Sequence, residues 1–171
     1  MATTIELDKL EGARRHIETG ITMFFERKDF VVVYTVAWTA YNVLSDLCYG
    51  LKIERQIEDS PELRALGVQD KVLKAFRHPR NFFQHGGPRG INTIKLSSEM
   101  APLMLLLAGE LFQKIDSQAI WHYQVLRMWF SVKYMQRASA RVREHLAALP
   151  HEVDFEDFDL FLDIVNKKLS A

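Results

Sequence analysis

Six residues, "RNFFQH" (Arg80–His85), supply a permanent cation, an amide and an imidazole, and two glycines follow them. On a helix, Asn81 and His85 are four apart and share a face. Arg80 is rotated about 140° from His85 around the axis, but its long side chain can curl toward the same end. Phe82 and Phe83 point elsewhere and can anchor the turn. This set suits RNA cleavage without a metal. That reaction needs a base for the 2′-hydroxyl proton, a fixed cation for charge on the phosphorane and an acid for the departing oxygen. Imidazole titrates near neutral pH and serves as base or acid. Guanidinium keeps its charge and matches phosphate oxygens. The amide orients the ring or donates to a phosphate. A structural reading stands beside this one: Arg80 pairs with a carboxylate, and His85 sits at a helix end where the dipole favours a cation. His78, two residues before Arg80, is an auxiliary proton-transfer group or an exposed turn histidine.

Other chemistries find no footing. His16, His122, His145 and His151 show no paired metal-ligand spacing, so no metal or cofactor is expected. The glycine-rich "HGGPRG" lacks the lysine-serine signature and the preceding strand of a phosphate loop. Nothing marks a nucleophile elbow.

The elements that must position the motif read as helices. Leu10, Ala13, Ile17, Ile21 and Phe24 recur at spacings of three and four. A second helix starts after Lys28-Asp29 and runs to about Tyr49, apolar almost all round and therefore central, with Gly50 as its stop. Ser60-Pro61 reads as a cap and a first helical residue. A helix from about Val68 to Arg77 is expected to end at Pro79, because the residue before a proline avoids the helical region. A new short helix then carries Arg80 to His85. After a loop from Pro88 to Lys95, Ser97 or Ser98 caps "EMAPLMLLLAGELFQKI". Trp121, Val125, Met128, Val132, Met135, Ser139, Val142, Leu146 and Leu149 keep a heptad until Pro150, and Phe155, Phe158, Leu162, Val165 and Leu169 resume it. The expectation is an antiparallel helical hairpin.

The 171 residues suffice for one domain, and no repeat or linker divides them. Lys+Arg and Asp+Glu balance at 22 each, so nucleic acid or membrane binding must come from a local patch. The charges are segregated. Arg64 to Lys95 holds seven basic residues against Asp70 alone. Ser117 to Arg143 holds five basic residues and no acid, and His151 to Asp163 six acids and no Lys or Arg. The last two blocks neutralise one another in a hairpin, with Lys133, Arg137 and Arg141 beside Asp154, Asp157 and Asp159, or else the basic one is an RNA-binding stripe. Cys48 alone cannot form an internal disulfide and reads as a buried hydrophobe in a reducing compartment. The start of the chain has no apolar signal core, and the uncharged run Phe30–Ser45 falls short of the roughly 20 apolar residues of a membrane span. A soluble, cytoplasmic protein is expected, with no membrane partner.

"RNFFQHG" resembles the signature of the HEPN superfamily of helical domains: arginine, a polar residue, three variable residues and histidine, often followed by glycine. Arg80, Asn81, His85 and Gly86 match it. Two long helices before the motif and an apolar helix after it fit as well, and the resemblance covers about residues 5–115. Pro79 directly before the arginine, and the hairpin from Ser117 onward, depart from it. The resemblance implies an all-α, HEPN-like bundle in one domain, 1–171, with a C-terminal hairpin extension at about 117–170. It implies a metal-independent endoribonuclease in which His85 transfers protons, Arg80 stabilises the phosphate and Asn81 orients. It also implies a two-fold homodimer with a shared cleft and, from the toxin and defence members, RNA and a cognate inhibitor protein as partners. Members that have lost catalysis imply the alternative, a helical interaction, dimerisation or ligand-binding module.

Overall fold

The computed structural model describes residues 4–85, 92–134 and 154–167. Among these residues the secondary structure is entirely helical. Helices α1 (Lys9–Phe25) and α2 (Phe30–Leu51) form an antiparallel pair. Asp8 and Asp29 cap them: the Asp8 carboxylate accepts from the Glu11 N–H, and that of Asp29 from the N–H groups of Val31 and Val32. The short turn between them reverses through Arg27, at φ 55°. Gly50 does not stop α2. The helix continues to Leu51 and closes at Lys52, whose left-handed backbone returns its N–H to Tyr49 and Cys48.

Further along come α3 (Pro61–Ala65), α4 (Gln69–His85), α5 (Met100–Ile115), α6 (Trp121–Lys133) and α7 (Phe158–Lys167). Ser60 caps α3 through Leu63 N–H at 3.2 Å, with Pro61 in the first turn. α5 starts later than a serine cap would place it. Its N-cap is Glu99, without a side-chain cap bond, while Ser97 braces the turn before it through the Glu99 N–H.

α2 is the central element, packed against α1 and α5. By length and composition it is apolar enough to cross a membrane, longer than the uncharged run because Asp46 sits on its exposed side. Here its apolar residues Val33, Ala37, Leu44 and Cys48 lie in the core. Burial pushes the Cys48 thiol up, as suits a small hydrophobe. The C-terminal ends of α2 and α5 lie together. Lys114 Nζ donates to the carbonyl of Glu54 at 2.8 Å, and Gln56 Nε2 to Glu110 at 2.9 Å.

α6 and α7 share that core. Trp121 Nε1 donates to the Ile164 carbonyl at 2.9 Å and Trp129 Nε1 to that of Phe155 at 2.8 Å, so the two segments run antiparallel. Phe161 and Val165 are fully buried, and Phe161 stacks on Phe25 of α1. The heptad run is not one unbroken helix. α6 closes at Lys133, and Tyr134 leaves helical geometry at φ −112°. Residues 135–153, including Arg137 and Arg141, lie outside the described residues. Lys133 does not pair with the acidic tail as the charge pattern suggested. Its Nζ meets Glu99 at 2.6 Å and lies over the rings of Trp129, Tyr134 and Phe155. Asp154 and Asp157 are occupied locally, accepting from the N–H groups of Glu156 and Leu160.

Candidate functional site

The motif rides on α4, which is held at two points. Gln69 Nε2 donates to the carbonyls of Ile57 at 3.0 Å and Glu58 at 2.6 Å, tying down the first turn. Further along, Tyr34 Oη of α2 donates to the Phe76 carbonyl at 2.6 Å. Burial holds the Tyr34 phenol above its ordinary range, so it remains a neutral donor.

Pro79 does not end the helix. α4 is continuous from Gln69 to His85 with Pro79 inside it. Proline has no N–H to give the carbonyl four residues back, here Ala75, and its ring crowds that carbonyl. What offsets this is tertiary. Pro79 and Phe76 are buried together, and Tyr34 donates to the carbonyl of Phe76, next to that of Ala75, so packing and this bond hold the turn although the Ala75 carbonyl gains nothing from it. The expected break and second short helix are therefore replaced by one continuous element, and His78 lies on a helix rather than in a turn.

This continuity sorts the expected site residues. Arg80 is half-buried on the inward side and, with Tyr34, Thr35, Trp38 and Phe83, encloses a small void. Its Nη1 donates to Asn81 Oδ1 at 3.2 Å. The Asn81 oxygen thus accepts from the arginine. Asn81 and His78 are exposed and line an open groove of about 410 Å³ together with Asp70, Leu73, Lys74 and Arg77. His85 closes α4, and its side chain lies outside the described residues, as do Gly86 and Gly87.

Sequence reasoning counted Lys74 and Arg77 in the basic block from Arg64 to Lys95 but did not place them beside the motif. A helix broken at Pro79 loses its register there, whereas an unbroken one puts residues 74, 77, 78 and 81 on one side. The signal was the spacing of three and four from Lys74 to Asn81.

Another cavity, of about 480 Å³, lies between α1 and the start of α6. Its Arg14 is already held by Glu11 and Glu18, both at 2.7 Å. No group of three His, Cys, Asp or Glu converges among the described residues. The chain matches no protein-family model, no curated protein and no solved structure at a significant level.

Proposed function

We propose that this protein is a metal-independent endoribonuclease of the HEPN type. The observation that carries the reading is the outer side of α4, where Lys74, Arg77, His78 and Asn81 line one open groove. Only one carboxylate, Asp70, stands among them, in the first turn. His85 moves the protons, Arg80 neutralises charge building on the phosphorane, and Asn81 holds Arg80 in place through the bond at 3.2 Å. His78 is the auxiliary proton-transfer group. One chain offers a single motif histidine, while cleavage uses both a base and an acid. Two copies related by a two-fold axis, with their α4 segments facing, supply both.

A second reading is favoured by one feature. Arg80 is half-buried against Tyr34, Thr35 and Trp38, as a structural arginine would be. In that reading the motif secures α4 in a non-catalytic interaction or dimerisation module.

Incubation of RNA with the purified protein in chelator separates the two. The ribonuclease leaves 2′,3′-cyclic phosphate ends, and His85→Ala removes most of the rate while the far-UV circular dichroism is unchanged. Equal cleavage by that variant, or complete dependence on a divalent metal, overturns the assignment.

A further inference from the structure

Because α4 runs unbroken through Pro79, side chains on both sides of the proline share one face. At about 100° per residue, Lys71, Lys74, Arg77, His78 and Asn81 fall within an arc of roughly 120°. All five are exposed, whereas Phe76 and Pro79 are buried on the other side. Some basic residues elsewhere hold a carboxylate, as Arg14, Arg15, Arg55 and Lys133 do. Among the described residues, Lys71, Lys74 and Arg77 have no ion-pair partner. With Asp70 as the one carboxylate beside them, three cations on one face leave a net positive row, which is complementary to a polyanion.

The stripe from Lys71 to Asn81 is roughly 15 Å long at 1.5 Å per residue. That is too short for the recognition of duplex RNA by shape, which extends over about 16 base pairs. It suits a few nucleotides of a single strand, whose binding combines a positive groove with aromatic faces for the bases. Phe82 supplies such a face. It is half-buried, borders the stripe next to His78, and is braced edge-on by Phe83 with ring centroids 5.3 Å apart.

We propose that this stripe is the track for a single-stranded RNA. Lys74 and Arg77 hold phosphates adjacent to the one that is cut, and Phe82 takes a base against its ring. The proposal rests on the ribonuclease reading and names the substrate class and the residues that align it.

The test measures binding apart from cleavage. Fluorescence anisotropy of a short labelled single-stranded RNA is followed across a salt series, using full-length protein carrying His85→Ala. Adding Lys74→Ala and Arg77→Ala should weaken binding at least about tenfold. It should also flatten the plot of log affinity against log salt by about 1.4, the contribution of two single-strand phosphate contacts. Phe82→Leu should weaken binding without changing that slope. Lys9→Ala, an exposed cation on α1, should leave both unchanged. A duplex of the same sequence should bind more weakly than the single strand. Unchanged affinity and slope in the Lys74/Arg77 variant overturn the track, and so does equal or tighter binding of the duplex. If the unmutated protein cleaves no RNA yet binding depends on Lys74 and Arg77, the track stands and the ribonuclease reading falls. If it cleaves and the Lys74/Arg77 variant binds equally well, the reverse holds.

Discussion

Tyr34 Oη donates to the carbonyl of Phe76 at 2.6 Å, across 42 residues of sequence and inside the core. This bond joins the central helix to the turn of α4 just before Pro79, and so fixes the helix that carries the motif. Tyr34→Phe keeps the ring and removes the donor, leaving a buried carbonyl without that partner. The expected cost is about 1–2 kcal/mol in urea unfolding. Hydrogen exchange should quicken in α4 while the amides of α2 and α5 keep most of their protection. Uniform loss of protection would mean that α4 and the core unfold as one unit.

The helices closest to the core were the most legible in the sequence. Their signals are local: the spacing of Ala13, Ile17 and Ile21, the aspartate before α2, the Ser60-Pro61 start of α3. Pro79 was misread because its effect is not local. Proline costs a helix interior about 3 kcal/mol, and no neighbour in sequence offsets that. The offset comes from burial of the ring and from Tyr34, both visible only in three dimensions. The same holds for Lys133. Its charge pattern pointed to the acids that follow in sequence, but Glu99 and the rings of Trp129 and Phe155 are what surround it. Within the site, Arg80, Asn81 and His78 were legible as residue types. Their division between the two sides of α4 was not, since it depends on the register through the proline.

Gly109 and Gly20 both sit inside helices, and alanine should be tolerated very differently at the two. A Cβ on Gly109 would strike the ring of Tyr123, with Cγ at 2.7 Å and Cδ2 and Cε2 nearer still. Tyr123 is 1% exposed, so its ring cannot swing away. Gly109→Ala should cost about 1–3 kcal/mol through overpacking. At Gly20 the near atom is the end of a flexible side chain, Leu105 Cδ2 at 2.7 Å. There the gain of up to about 1 kcal/mol from replacing a helical glycine offsets part of the strain. Thermal melts of the two variants should rank Gly109→Ala well below Gly20→Ala.

Acid should weaken the fold in a defined window. Hydrogen bonds from Arg14 and Arg15 hold the Glu11 carboxyl down at about 2, and those from Arg55 do the same for Asp59. A carboxylate whose pKa is lower folded than unfolded contributes stability above its unfolded value and loses it as pH falls through the folded one. The unfolded values are near 4.5 and 3.8, so the loss falls between about pH 4.5 and pH 2. Both pairs lie part-buried at the surface, where water and salt still screen them, so the effect is small and weakens with salt. Glu11→Gln with Asp59→Asn should flatten the melting temperature against pH in that window and leave its slope near neutral pH unchanged.

Asn81→Asp probes the contact between the two motif residues that meet. Asn81 Oδ1 accepts from Arg80 Nη1 at 3.2 Å on an exposed edge of α4. A carboxylate in its place strengthens that bond and neutralises the guanidinium. Exposed pairs are worth less than about 1 kcal/mol, so stability should hardly move. If the protein is the proposed ribonuclease, cleavage should fall at least tenfold in kcat/KM, because the new carboxylate neutralises Arg80 and repels the phosphate. Asn81→Ala removes this one bond without neutralising the guanidinium, so its loss should be smaller and less sensitive to salt. A structural role for the pair orders the variants differently, with Asn81→Ala the more damaging in unfolding experiments and Asn81→Asp harmless throughout. Cleavage by Asn81→Asp at the unmutated rate would therefore remove Arg80 from the phosphate and leave it to its contacts with α2.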